Sequence, residues 1–179
     1  MNKCNWCYAS KELELYHDNE WGKPVYDERE IFELLSLELM QAGLSWQTVL
    51  RKRDAFRIAF YDFKIEKIAS FDEKKIEELV HNSGIIRNRQ KIEAIINNAR
   101  ILNQKDISLK KLLWKYVDET PILNQWESIE QVPAQTKLSR QMARDFKKLG
   151  FKFVGPTIMY SFMQATGLVN DHIIGCPCK

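Results

Sequence analysis

Apolar residues recur at helical spacing along almost the whole chain, and no run alternates apolar and polar residues as a half-buried core strand requires. That property restricts the chain to an all-α architecture of amphipathic helices, each burying one face. Asp27 with Glu30 forms a capping-box pattern ahead of a helix running to about Gln41, and Gly43 is placed to end it. Ser45 caps a second helix through about Phe60. After a minor turn near Ile65 to Ala69, Asp72 opens a helix that turns Ile76, Leu79 and Val80 inward and stops at Gly84. The next carries Ile92, Ile95, Ile96, Ala99 and Leu102, and Ser108 caps a short one. Residues 118 to 135, with Pro121 and Pro133, read as an irregular connection whose Ile122, Leu123 and Trp126 pack onto the body. Thr136 starts a basic helix with Leu138, Met142, Phe146 and Leu149 on one side, ended by Gly150. Pro156 suits the first turn of a last long helix that stops at Gly167.

No internal repeat or shift in composition divides the 179 residues, so a single domain over 1–179 is expected. With 45% hydrophobic and 28% charged residues the chain has the makings of a core and is not a disordered or fibrous polypeptide. No apolar run approaches the roughly 20 residues of a membrane span, and the charged opening lacks a secretory apolar core, which points to the cytoplasm and no membrane partner. Lys plus Arg minus Asp plus Glu is 27 − 24 = +3, too small a surplus to announce a polyanion partner unless it is concentrated. Without a secretory signal, the four cysteines read as thiols or metal ligands rather than disulfides.

Three constellations stand out. Glu38 follows Leu35, Leu34 and Ile31 on one helical face, so a carboxylate sits where the core is expected. It is either a rim residue, one half of a buried ion pair, or a substrate-facing group on a pocket floor with Tyr16 and Trp46 near it. The stretch from Gly150 to Thr157 reads helix, hairpin, helix. Its backbone N–H groups and helix N-terminus could grip a phosphate, with Arg140, Arg144, Lys147, Lys148 and Lys152 supplying charge. The third set is Cys4, Cys7, His17, His172, Cys176 and Cys178. Cys4-x-x-Cys7 has a familiar zinc spacing and His172 lies four before Cys176, and spacing alone does not select four ligands among the six. Neither a βαβ redox setting nor the zinc deaminase signature surrounds these cysteines.

The blocks YHDNEWG at 16–22, QAGLSW at 41–46, GIIRNRQKIEAIINNA at 84–99, GFKFVG at 150–155 and YSFMQATGLVNDHIIGC at 160–176 resemble the type I 3-methyladenine DNA glycosylases. The likeness runs from Cys4 to Cys176. It implies a helix-hairpin-helix glycosylase fold that excises 3-methyladenine from double-stranded DNA as a monomer, leaving an abasic site. It also implies one structural zinc per chain on Cys4, His17, His172 and Cys176, tying segments 1–26 and 168–179 together and leaving Cys7 and Cys178 as bystanders. By the same resemblance Glu38, Tyr16, Trp46 and Trp6 form the base pocket, with Glu38 and Tyr16 nearest the chemistry. Gly43 and Leu44 wedge into the duplex, and Lys152, Phe153, Gly155 and Thr157 belong to the DNA-gripping hairpin.

Two positions mark departures. Leu13 stands where some members carry an aromatic, and Asn170 stands where most relatives in the wider superfamily place a catalytic Asp. The missing acid suits this substrate, because methylation at N3 makes the attached base cationic and it departs as a neutral purine. Gly155-Pro156-Thr157 contains no lysine to act as the amine nucleophile of bifunctional relatives, which predicts a monofunctional enzyme. A non-catalytic, zinc-stabilised DNA-binding module is the rival reading. A zinc hydrolase is the other, disfavoured because four protein ligands leave no place for activated water.

Overall fold

The computed structural model describes residues 3–179; Met1 and Asn2, counted into the expected domain, lie outside the described residues. Among the described residues ten α-helices form the body: α1 Lys11–Asn19, α2 Glu28–Gln41, α3 Trp46–Arg51, α4 Arg53–Ala59, α5 Ile65–Ala69, α6 Glu73–His81, α7 Arg89–Gln104, α8 Leu109–Trp114, α9 Lys137–Leu149 and α10 Pro156–Ala165. The caps read from sequence are formed. Asp27 accepts from the Glu30 amide at 2.9 Å, Ser45 from Thr48 at 3.2 Å, Asp72 from Lys75 at 2.9 Å and Ser108 from Lys111 at 3.1 Å. Thr136 and Ser139 bond reciprocally as a capping box at the start of α9.

Every residue of α2 from Ile31 to Met40 is buried, and the helix packs against α3, α7, α8 and α10. It carries two buried glutamates. Glu33 accepts from Arg53 at 2.6 Å and from Arg57, while Arg53 also reaches Glu20 at 2.6 Å, so this network ties α1, α2 and α4 together. The segment from Ser45 to Phe60, expected as one helix, breaks at Lys52 into α3 and α4. Lys52 has φ −102° and ψ 0°, and its ammonium reaches the carbonyls of Ser83 and Gly84.

The connection over 118–135 differs from expectation in how it attaches. Ile122 and Leu123 leave their side chains exposed and join by backbone as β1, Ile122–Leu123, paired in parallel with β2, Val169–Asn170. Two residues of strand leave no alternating pattern to detect. A second crossing bond runs from the Ile174 amide to the Trp126 carbonyl at 2.8 Å. The C-terminal segment thus runs back across the body to the short 3-10 helix Asn5–Ala9, where Cys4, Tyr16, Trp21 and Cys176 form a small separate core.

Candidate active site

Tyr16, on the inner face of α1, Glu38, in the last turn of α2, and Trp46, at the start of α3, converge on one cavity of about 360 Å³ that Trp6, Leu13, Trp21, Tyr160 and Gln164 also line. The rings of Tyr16 and Trp46 lie 5.2 Å apart at 58°, and Trp6 lies 6.4 Å from Tyr16. Glu38 is 4% exposed, and Glu38 Oε2 and Trp46 Nε1 are buried with no hydrogen-bond partner among the described residues. Unmade bonds of this kind cost about 1–3 kcal/mol each, and a site keeps them where a ligand will complete them. Burial, with no cation beside it, pushes the Glu38 carboxyl up to about 8. Burial and then the Glu38 charge raise the Tyr16 hydroxyl well above its usual value. Of the readings open for Glu38, the ion pair is realised by Glu33 instead.

At the mouth, Gly43 and Leu44 shape a turn after α2. The Leu44 amide donates to the Gln41 carbonyl at 2.7 Å, Gly43 has φ +77°, and Leu44 is 42% exposed. A positive φ with open space around the position makes backbone conformation the reason for glycine here. Lys91, a buried lysine, caps this end of α2 by donating to the carbonyls of Met40 at 2.9 Å and Ala42 at 2.5 Å. A smaller cavity of about 230 Å³, lined by Glu38, Gln41, Gly43, Leu44, Thr157 and Ser161, adjoins the first and connects the Gly43–Leu44 turn to the start of α10.

The hairpin from Gly150 to Gly155 is pinned from α7. Asn98 is 1% exposed; its Oδ1 accepts from the Lys152 amide at 2.8 Å and its Nδ2 donates to the Lys152 carbonyl at 3.1 Å. Asn97 donates to the Gly150 carbonyl at 3.0 Å. The Lys152 amide is therefore spent on the fold, and Phe153 sits at φ 56° in the turn. Gly155 begins α10 without any capping side chain, at φ −67° and with open space where a Cβ would stand. Arg140, Arg144, Lys147, Lys148 and Lys152 are all exposed. Asn98 was missed although it carries the signal that picked out Glu38: a polar residue three after Ile95 and four before Leu102 on a core-facing stripe.

The metal candidates meet where the two ends of the described chain cross. One donor atom each from His17, His172, Cys176 and Cys178 lies within 4.8 Å of the others. Cys178, expected as a bystander, is thus part of the tightest group, whereas Cys4 stands fully buried beside Cys176 and outside it. The ring Nδ1 of His17 donates to Asp18 at 2.8 Å and that of His172 to Asn170 at 2.9 Å, which turns both Nε2 atoms inward; His172 Nε2 is buried and unpartnered. Burial pushes His172 down to about 4 and both Cys4 and Cys178 up to about 11. A neutral imidazole is the form that ligates, and thiols at these values would give up their protons only to a bound cation. The donor set fits a divalent soft metal such as zinc. Asn170 Oδ1 accepts from both the backbone amide and the ring Nδ1 of His172, so its side chain is committed to orienting His172.

The description of the methyladenine glycosylase family matches residues 6–179. DNA-3-methyladenine glycosylase 1 of Escherichia coli (strain K12) is 45% identical over 181 residues, covering 99% of this chain and 97% of that protein. A crystal structure of 3-methyladenine DNA glycosylase I superposes with a TM-score of 0.95 at 48% identity over 99% of both chains. The enzyme from Staphylococcus aureus, whose structure concerns recognition of 3-methyladenine, does so at 0.94 and 39% identity, over 100% of this chain and 97% of that one. With a matching fold, near-complete coverage and a pocket of the expected residues, the chain belongs to the methyladenine glycosylase family.

Proposed function

We propose that the protein hydrolyses the N-glycosidic bond of 3-methyladenine in double-stranded DNA, releasing the free base and leaving an abasic site. The observation that carries this reading is the buried Glu38, whose Oε2 has no partner among the described residues, sharing a cavity of about 360 Å³ with Tyr16 and Trp46. Adenine offers an N7 acceptor beside an N6 donor on one edge, whereas guanine offers N7 and O6 acceptors there. A protonated Glu38 both donates and accepts, so it pairs with the adenine edge in two bonds and leaves guanine O6 opposed. Tyr16, Trp46 and Trp6 hold the ring by their faces and edges. Leu44 fills the gap that the extruded nucleotide leaves, and the hairpin with the open start of α10 holds the strand by its phosphates. The bond itself needs little acid catalysis, because the methylated base leaves as a neutral purine; the pocket's work is to extrude, orient and admit water to the cationic sugar.

A structural zinc on His17, His172 and Cys176, with Cys4 as the fourth ligand by the family resemblance although Cys178 is the thiol within the 4.8 Å group, completes the reading. Bound there, the ion supplies cross-linking of the chain ends rather than chemistry. Tyr16 and His17 are neighbours on α1, one lining the cavity and the other in the metal cluster, so a rigid cluster holds the pocket wall. The protein acts as a monomer in the cytoplasm.

The test is incubation of the purified protein with a duplex carrying one 3-methyladenine, followed by chromatography of released bases. The expected result is free 3-methyladenine, an intact abasic strand and no borohydride-trapped protein–DNA adduct. Salt-sensitive DNA binding without base release would favour the non-catalytic DNA-binding module.

A further inference from the structure

The turn at the mouth of the cavity is held by a side chain from another helix. Gln41 to Leu44 form a type II turn: Ala42 has φ −47° and ψ 114°, Gly43 has φ +77°, and the Leu44 amide donates to the Gln41 carbonyl at 2.7 Å. A type II turn differs from a type I turn by a flip of its central peptide, here the one that joins Ala42 to Gly43. In the type I form the Ala42 carbonyl faces the opposite side of the turn and Gly43 moves to negative φ. The local sequence does not enforce the choice, since glycine takes either sign of φ and has open space around it here.

Lys91 supplies the missing constraint. It stands in the first turn of α7, where Asn88 caps its amide at 3.1 Å, and it is 7% exposed. Among the described residues its ammonium meets no carboxylate; it donates to the Met40 carbonyl at 2.9 Å and the Ala42 carbonyl at 2.5 Å. The first bond serves the end of α2, where the carbonyls carry partial negative charge. The second falls on the central peptide of the turn and exists only in the type II form. Seven residues on, nearly two turns along the same face of α7, Asn98 holds both backbone groups of Lys152 in the hairpin. One face of one helix thus fixes the Leu44 turn and the hairpin together, from residues about 10 Å apart along its axis.

We propose that Lys91 is a positioning residue for base extrusion: by holding the Ala42–Gly43 peptide in the type II orientation it keeps Leu44 poised to enter the duplex, in fixed register with the hairpin. It lines neither cavity and touches neither base nor sugar. The proposal rests on the glycosylase reading above, with Leu44 as the wedge.

The experiment measures single-turnover release of 3-methyladenine from duplex DNA, and affinity for the free base, in wild type, Lys91→Met, Lys91→Arg, Leu44→Ala and the Lys91→Met, Leu44→Ala pair. Lys91→Met removes the donors and keeps an unbranched side chain. It should slow release on the order of tenfold and leave free-base affinity within about twofold. Lys91→Arg still donates to carbonyls and should recover most of the rate. In the pair the loss should equal that of Leu44→Ala alone, because both changes disable one device. Gly43→Ala, which penalises the positive φ without altering α7, is the second arm and should slow release with the same selectivity. Multiplied losses in the pair, unchanged release in Gly43→Ala, or a Lys91→Met loss as large for the free base as for the duplex overturns the role of Lys91. Failure of wild type to release 3-methyladenine would overturn the glycosylase reading itself, and full release by Leu44→Ala would remove the wedge and the proposal with it.

Discussion

At the scale of single residues, α2 shows how two glutamates on one buried helix take opposite roles. Glu33 meets Arg53 and Arg57 and serves the fold; Glu38 meets aromatic faces and no cation. Position in the sequence marks Glu38 for burial and does not single out Glu33, which is buried because α4 arrives against that end of α2 with Arg53 and Arg57. The consequence for Glu38 is a pH dependence with a definite sign. Its value is raised to about 8, so the proton is retained below that pH and lost above it. Affinity for neutral 3-methyladenine should be flat from pH 6 to 7 and fall as pH rises through about 8, because the donor to N7 disappears. Glu38→Gln, with a permanent donor and acceptor, should bind with a flat profile across the same range, measured by fluorescence or calorimetric titration. A wild-type affinity that improves above pH 8 would show that the ionised carboxylate is the binding form. Stability runs the same way. The folded value lies above the unfolded one near 4.5, so the wild type loses stability relative to Glu38→Gln as pH climbs between the two.

At the scale of elements, caps were legible because they are local: Asp27, Ser45, Asp72, Ser108 and Thr136 each act within three residues of themselves. The hairpin was legible as a connection, but what holds it was not, since Asn97 and Asn98 approach it from more than 50 residues away. Gly155 is informative here, because neither its φ nor its surroundings require glycine. Gly155→Ala should leave the melting temperature unchanged, within about 0.5 kcal/mol of stability, and weaken DNA binding severalfold by blocking close approach of the phosphate backbone. Equal DNA affinity would remove Gly155 from the interface. Lys152→Glu should weaken binding without changing lesion preference and lower the slope of log affinity against log salt by about 1. Leu44→Ala should impair excision from duplex and spare binding of the free base, a contrast that separates a wedge from a pocket wall.

At the scale of the whole molecule, the His/Cys cluster that could hold the proposed zinc joins segments more than 150 residues apart in the chain. A cross-link of that span is worth about 3 to 5 kcal/mol. Cys4→Ser and His172→Ala should therefore lower zinc content and thermal stability together, whereas Cys7→Ser and Cys178→Ser should keep one ion per chain, as read by elemental analysis. Loss of zinc from Cys178→Ser, and not from Cys4→Ser, would transfer the fourth ligand to the C-terminal thiol that lies within the 4.8 Å group.

The helices, their starts, the carboxylate at Glu38 and the blocks that mark the family are all encoded locally, in spacing and in short runs, and the sequence by itself determined them. What each buried carboxylate meets was decided only by tertiary structure. Glu33 is paired by arginines from α4, Glu38 lies among aromatics, and Asp171 accepts hydrogen bonds from donors on the 118–135 connection and α10. The physical reason is that a helical pattern reports which face of an element is buried, whereas ionisation and ligation depend on what other elements bring to that face.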